Sequence, residues 1–237
     1  MKISLAGLVI EISVRYSYTA SLVKDYTVEA DGCDFSVSVT DEDIKAEAEA
    51  SEGAFSDAYL ESIALYRKIA EKLPSYDAVV FHGAVIAIGG KAYAFTARSG
   101  VGKTTHIRLW GEVFGDEVHV LNGDKPVIRI IDGTPYACGT PWRGKEGYGV
   151  PEMLPLSAIG FIERAEVPKA VKIPSKNGIL RLASQIYIPN DKKNAILALG
   201  VIDRIIKGVS LFDVRANMEK ESARVSYEAF MRQSSDL

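Results

Sequence analysis

The sequence predicts an α/β fold in which a mixed, largely antiparallel sheet surrounds a glycine-rich loop, followed by a helical C-terminal part. Three observations predict it. Apolar, strand-like runs are joined by Gly-Gly and Asp-Gly pairs, which favour β-hairpins. One of these runs passes directly into a glycine-rich loop and then a helical segment. A doubly wound sheet would instead alternate strand and helix along the whole chain.

The N-terminal residues combine two predicted strands with two predicted helices. β-Branched and apolar residues predict one strand over residues 3–14, and alternation predicts another over 34–40. Asp41 is the predicted N-cap of an Ala/Glu-rich helix. From Ser56 onward the apolar residues recur at helical spacing, and this helix is predicted to end at Pro74.

The rest of the chain is predicted from the same patterns. The predicted strands are 78–88 and 91–97, joined at Gly89-Gly90, then 118–122, a hairpin around Asp132-Gly133, and 157–163. Residues 164–177 are predicted to be a connection, and 194–208 and 219–233 are predicted helices.

Composition and charge limit the function classes. The 237 residues are 47% hydrophobic and 25% charged, which is typical of soluble globular proteins. A net charge of -3 gives no broad cationic field, so we expect no nucleic-acid partner. No apolar run approaches the ~18 residues that cross a bilayer, and Glu11 interrupts the first run, so we expect no membrane partner.

The cysteine content and the length give further expectations. Cys33 and Cys138 are too few for a disulfide framework and lack the spacing of metal ligands. We therefore expect two reduced thiols and a cytoplasmic protein. The length suits a small N-terminal α/β appendage, residues 1–55, and a larger domain, residues 56–237, that contains the loop and the C-terminal helices.

The loop is the most informative motif. Residues 97–104, ARSGVGKT, fit the P-loop (Walker A) pattern, with Ala97 where the first glycine usually occurs. Glycine lets backbone N–H groups turn toward phosphate oxygens, and the helix that begins near Thr105 directs its positive end at the same anion. Lys103 is predicted to reach the β- and γ-phosphates of ATP, and the Thr104 hydroxyl to ligate Mg²⁺. The predicted nucleotide-binding residues are Arg98, Ser99, Gly100, Val101, Gly102, Lys103, Thr104 and Thr105.

The alternative is a glycine-rich turn that matches the pattern by chance. The predicted strand before the loop and the predicted helix after it favour phosphate binding.

Asp124 is the candidate acidic partner of the loop. It follows the apolar strand 118–122, and a carboxylate at a strand end can face the phosphates at the mouth of the sheet. Phosphoryl transfer needs a carboxylate for Mg²⁺ or for the proton of the nucleophile. The alternative is a turn residue, because Asn122-Gly123-Asp124 also has good turn chemistry. The predicted metal ligands are Thr104 and Asp124.

Four segments, HGAVIAI, TARSGVGKTTH, VLNGDKP and CGTPWRGK, resemble the HPr kinase/phosphorylase family. They resemble the uncharacterised bacterial HPr-kinase-like proteins more closely still. The resemblance covers roughly residues 56–165. It implies the nucleotide-binding fold that this family shares with phosphoenolpyruvate carboxykinase.

The resemblance also implies site residues. His82 matches the histidine of the His-Gly pair near the active site. Asp124 matches the second of two adjacent aspartates, which takes the proton of a serine, whereas the first of the pair is Gly123 here. This departure removes one carboxylate. Arg143 and Lys145 would lie toward the transferred phosphate, where a cation stabilises the transition state.

The sequence therefore predicts ATP- and Mg²⁺-dependent phosphoryl transfer to a hydroxyl, either a serine of a protein or peptide or a small alcohol. The predicted catalytic residues are Asp124, Lys103, His82, Arg143 and Lys145. A nucleotide-binding regulatory module without turnover is the main alternative, and a small carboxykinase is a second one. Analogy with the hexameric HPr kinases further implies homo-oligomerisation.

Overall fold

A computed structural model describes residues 1–98 and 100–232. The strands are β1 (Lys2–Leu5), β2 (Leu8–Ser13), β3 (Phe35–Ser38), β4 (Ala78–Val80), β5 (Ala84–Ile88), β6 (Lys91–Thr96), β7 (Val118–Asn122), β8 (Val127–Ile131), β9 (Thr134–Cys138), β10 (Met153–Arg164), β11 (Lys169–Ile173) and β12 (Ser210–Ala216). The α-helices are α1 (Ser17–Leu22), α2 (Asp41–Ala50), α3 (Asp57–Lys72), α4 (Lys103–Phe114), α5 (Ser175–Ala183), α6 (Lys192–Gly208) and α7 (Glu221–Arg232).

The N-terminal strands form a small sheet of their own, in the order β1-β2-β3. β1 and β2 are an antiparallel hairpin, and β3 runs parallel to β2. The prediction of one strand over 3–14 is therefore wrong. Ala6 and Gly7 both have positive φ, 53° and 72°, as the tight turn of a two-residue hairpin requires.

The other strands form the main sheet, in the order β4-β8-β9-β10-β6-β5-β7, with β12 added beside β10 and β11 beside β12. β10 runs parallel to β6 and to β12, and the other pairings in this sheet are antiparallel. Together with the helices on its faces, this sheet makes the chain a mixed α/β protein. The predicted hairpins at Gly89-Gly90 and Asp132-Gly133 are both present.

The predicted strand 78–88 is two strands. β4 pairs with β8, whereas β5 lies between β6 and β7. The chain leaves the ladder between them because the His82 N–H donates to the carbonyl of Gln185 (2.6 Å) and the Gly83 N–H donates to that of Asp124 (3.1 Å). A side chain at Gly83 would collide with the Phe81 ring and with the Phe95 carbonyl.

Two smaller predictions are also wrong. The N-cap of α2 is Thr40 and not Asp41, because the Thr40 hydroxyl accepts the Asp43 N–H and the Asp43 carboxylate accepts the Thr40 N–H. The stretch 164–177 is not only a connection, because it contains β11.

The C-terminal part is less helical than the sequence predicted. α5, α6 and α7 are present, but β12 lies between α6 and α7. β12 has strand neighbours on both sides, β10 and β11, and these satisfy its backbone from positions distant in sequence.

Helices cover both faces of the main sheet. Buried residues of α6, such as Val201 and Ile205, pack on one face together with Val85 and Ile159. Trp110 of α4 belongs to the cluster on the other face, as do residues of α7. Among the described helices, none is long and apolar enough to span a membrane.

α3 packs with the small N-terminal sheet. Leu65 and Ile69 of this helix share a core cluster with Ile3 and Ile10. The division of the chain at residues 55 and 56 stays a prediction.

Candidate functional site

A cleft of about 1230 Å³ opens between one side of α3 and three loops of the main sheet. The loops follow β6, β7 and β9. The first loop contributes Ala97, Arg98, Gly100 and residues 102–105 to the lining, the second contributes 123–125, and the third contributes 141–147. It therefore contains most of the residues that the sequence singled out.

The loop after β6 has the backbone that its glycines predict. Gly100 and Gly102 have φ of +76° and +118°, and nothing lies within 4 Å of a Cβ added at either position. Conformation and not crowding therefore requires glycine here. Gly102 is the N-cap of α4, whose first N–H groups have no acceptor within the helix and can bind an anion.

The predicted nucleotide-binding residues of this loop differ in their exposure and in whether they line the cleft. Arg98 and Thr104 are exposed, and Val101 and Thr105 are half-buried. Arg98, Thr104 and Thr105 line the cleft, whereas Val101 does not. Ser99, which was also predicted to bind nucleotide, lies outside the described residues.

Arg164 holds this loop, and no sequence pattern indicated this role. Its Nε donates to the Val101 carbonyl at 3.2 Å, and its Nη2 donates to the Gly100 carbonyl. Two loop carbonyls are thereby paired with a guanidinium at the end of β10.

Asp124 lies among three basic side chains at the end of β7. Its Oδ1 is 3.7 Å from Lys103 Nζ and 3.7 Å from His82 Nε2, and its Oδ2 is 3.7 Å from Lys125 Nζ. Three of the predicted catalytic residues, Asp124, Lys103 and His82, are thus brought together. At these distances the attraction is electrostatic and is not a direct hydrogen bond.

Burial lowers the pKa values of two of these three neighbours, Lys103 and His82. Burial lowers the pKa of Lys103, and the negative charge of Asp124 raises the same pKa and so partly offsets the effect of burial. Burial also lowers the pKa of His82, and the neighbouring charges of Lys125 and Lys103 lower it further, against the opposing effect of Asp124. His82 is therefore neutral near pH 7, since its ordinary pKa is already about 6.5.

Asn122 orients the turn that carries Asp124. It is fully buried, and its Oδ1 accepts the N–H groups of Asp124 (2.9 Å) and Lys125 (2.8 Å). Its Nδ2 donates to the carbonyl and to the hydroxyl of Thr140, both at 3.0 Å. The sequence suggested turn chemistry at Asn122 but not this link to the loop after β9.

The two cations predicted from the CGTPWRGK segment differ in their surroundings. Arg143 Nη2 lies 3.0 Å from Asp25 Oδ2, so its guanidinium is paired with the N-terminal part of the chain. Lys145 is exposed, and both residues line the cleft. Their predicted role at the transferred phosphate stays a prediction.

The predicted metal ligands Thr104 and Asp124 share the cleft with a further carboxylate. The Thr104 hydroxyl donates to Glu146 Oε1 at 3.2 Å. No cluster of three or more His, Cys, Asp or Glu side chains suited to a metal occurs among residues 1–98 and 100–232. Magnesium sites that act on nucleotides need only one or two carboxylates, because phosphate oxygens and water complete the shell, so the residues present fit such an ion.

No family model matches the chain, and no curated protein sequence matches it. Among solved structures, the chain is similar to the "Hpr(Ser) kinase/phosphatase from Coxiella burnetii", with a TM-score of 0.38 and 8% identity over 65% of this chain and 98% of that one. A likeness at this level shows nothing about the chemistry of the cleft.

Proposed function

We propose that this protein transfers the γ-phosphoryl group of ATP to a hydroxyl acceptor with the help of Mg²⁺. One observation carries the proposal. A lysine in the first turn of the helix that follows a glycine loop lies 3.7 Å from a carboxylate at the end of a strand in the same sheet. The pair gives the cleft a phosphate-binding cation and a proton acceptor side by side.

In this proposal the residues of the cleft have different roles in binding and catalysis. Gly100, Gly102 and the start of α4 would hold the phosphates through backbone N–H groups. Lys103 would bind the β- and γ-phosphate oxygens, and Asp124 would accept the proton of the attacking hydroxyl. Thr104 and Asp124 would hold Mg²⁺, which supplies positive charge to the phosphate oxygens when it is bound.

His82 has a supporting part in this proposal. Because it is neutral near pH 7, it adds no third full charge beside Asp124 and can hydrogen-bond the acceptor. Catalysis of this kind depends mostly on positioning and electrostatics, which burial strengthens.

The proposed acceptor class comes from the resemblance to HPr-kinase-like proteins, which implies a serine of a protein or peptide or a small alcohol. Homo-oligomerisation is proposed on the same ground. Cys33 and Cys138 are both free, which fits the reducing cytoplasm that we propose as the setting.

The test is a transfer assay with γ-labelled ATP and Mg²⁺, with the purified protein alone and with lysate of its host. Lys103→Ala and Asp124→Asn should each reduce labelling by roughly a hundredfold or more, since each removes a charge that acts on the reacting groups. Asp203→Asn, on the exposed side of α6, is the matched control and should label like wild type. Labelling that persists in Asp124→Asn would refute the assigned base.

A nucleotide-binding module without turnover is the second candidate. Two observations favour it: Gly123 offers no carboxylate beside Asp124, and Arg143 is paired with Asp25. It predicts ATP binding with no labelled product in any fraction.

A carboxykinase has less support. That chemistry needs histidine and acidic ligands for a second metal beside the loop. His106 is buried against Trp110 and Ser226, and His119 pairs with Glu152, so His82 is the one histidine in the cleft.

A further inference from the structure

A second carboxylate reaches the glycine loop from the loop that follows β9. Glu146 Oε1 accepts a hydrogen bond from the Thr104 hydroxyl at 3.2 Å, and both residues line the cleft with Asp124. The sequence pattern gave Glu146 no role, because it belongs to none of the motif positions. Glu146 lies in the cleft because the loop after β9 folds back toward Thr104.

The turn that carries Glu146 is held by glycines. Gly144 and Gly147 have φ of 73° and 70°, and the Gly147 N–H approaches the Gly144 carbonyl at 3.4 Å. A Cβ at Gly144 would lie 2.8 Å from the Asp124 Cβ. The turn therefore packs directly on Asp124, and its own backbone conformation brings Glu146 to the start of α4.

The same loop covers the position next to Asp124. A Cβ at Gly123 would meet the Arg143 carbonyl at 3.1 Å and the Tyr148 Cβ at 3.5 Å, and the Gly123 N–H donates to the Tyr148 carbonyl at 2.9 Å. A carboxylate at residue 123 would project into space that this loop fills. The loop instead carries a carboxylate of its own.

We propose that Glu146 is a ligand of the divalent cation that accompanies the nucleotide, together with Thr104 and Asp124. This inference rests on the proposed function. Mg²⁺ takes oxygen ligands at 2.0–2.1 Å in octahedral geometry, so adjacent ligand oxygens lie about 3 Å apart. The 3.2 Å between the Thr104 and Glu146 oxygens matches two neighbouring positions of such a shell.

A different role for Glu146 makes an opposite prediction. A carboxylate at the start of α4 could occupy the place of a phosphate and compete with it, because the helix N-terminus attracts either anion. Removal of the charge would then strengthen nucleotide binding whether or not metal is present. A metal ligand instead affects the gain in affinity that the metal provides.

The experiment measures the affinity of a non-hydrolysable ATP analogue by calorimetry, with Mg²⁺ and with EDTA. Wild type should bind more tightly with Mg²⁺. Glu146→Gln should lose most of this gain, on the order of tenfold or more, and bind the metal-free analogue as wild type does or slightly better. Glu146→Asp, which keeps the charge but retracts it, should retain part of the gain.

A second readout does not depend on turnover. Mn²⁺ added with the analogue loses its free-ion electron paramagnetic resonance signal when the protein binds it, and Glu146→Gln should restore much of that signal. Glu49→Gln, on the exposed face of α2, is the matched control and should behave as wild type in both measurements. The thermal unfolding midpoint of each variant checks that it is folded.

The outcomes separate this inference from the proposed function. A full metal-dependent gain in Glu146→Gln, or an equal tightening with and without Mg²⁺, overturns the inference and leaves the kinase proposal intact. Loss of the gain without phosphoryl transfer in any assay supports the metal ligand and refutes turnover. A wild-type protein that binds no nucleotide overturns both.

Discussion

Replacement of Asn122 by alanine should destabilise the fold and displace Asp124 together. Asn122 is fully buried, and its side chain makes four hydrogen bonds of 3.0 Å or less: two donated to Thr140 and two accepted from the N–H groups of Asp124 and Lys125, beside a longer one of 3.4 Å to the Trp142 carbonyl. Alanine removes all four. It also leaves two backbone N–H groups of the turn without their acceptor.

The magnitude follows from these bonds. A net contribution of about 1 kcal/mol for each bond gives a loss of about 4 kcal/mol in the free energy of unfolding. That is a large fraction of the roughly 5–15 kcal/mol by which domains are usually stable. Because Asp124 loses the bond that fixes its backbone, phosphoryl transfer should fall further than the folded fraction does.

Urea unfolding followed by fluorescence measures the stability, and label transfer normalised to the folded fraction measures the site. Asn177→Ala, at an exposed position of α5, is the control and should stay within about 0.5 kcal/mol of wild type. A loss below about 1 kcal/mol in Asn122→Ala would show that the buried amide does not hold the turn, and the reasoning would fail.

Three further predictions concern the rest of the fold. Burial lowers the pKa of His106 to about 4, so between pH 6.5 and 4 the unfolded chain binds a proton that the folded chain does not. The free energy of unfolding should therefore fall by about 3 kcal/mol as the pH is lowered over this range. In urea titrations at several pH values, His106→Leu should lack this part of the pH dependence. Burial raises the pKa of Cys138 to about 12, whereas Cys33 is exposed, so a thiol reagent should modify one cysteine rapidly in the native protein and two after denaturation. Gly139→Ala would place a Cβ 1.9 Å from the Val150 carbonyl, and a marked loss of soluble protein and of the unfolding midpoint is expected; a wild-type midpoint would contradict the crowding.

The parts of the fold that the sequence predicted depend on local chemistry. Gly89-Gly90 specifies a two-residue hairpin wherever it joins two apolar runs, and the structure has one there. A strand, a glycine loop and a helix follow one another around Gly100 and Gly102. Their order was also predictable, because the conformational preference of each segment is compatible with that of the segments beside it. The approach of Lys103 and Asp124 was also expected, because both follow strands of one sheet.

The parts that the sequence did not predict depend on contacts between distant residues. The break at His82 follows from an acceptor at Gln185, about a hundred positions away, and no pattern near residue 82 reports it. β12 carries Asp213 and Arg215 among its apolar residues, so its strand character is clear only once β10 and β11 flank it. Glu146 has no motif, and its meeting with Thr104 depends on how the loop after β9 folds back.

That loop connects the N-terminal part of the chain to the proposed metal site. Trp142 stacks on Tyr66 of α3 with ring centroids 3.9 Å apart and donates its indole N–H to the Ser62 carbonyl. The next residue, Arg143, is paired with Asp25. Three positions further on, Glu146 contacts the start of α4.

Two anchors on the N-terminal side therefore hold one end of a short loop whose other residues pack on Gly123 and Asp124. Because Glu146 is only four residues from Trp142, we expect a shift of α3 to displace Glu146 relative to Thr104. A metal site tolerates little displacement when its ion demands near-ideal octahedral geometry. The position of α3 thus bears on metal binding, although the helix itself contributes no carboxylate to the three proposed ligands.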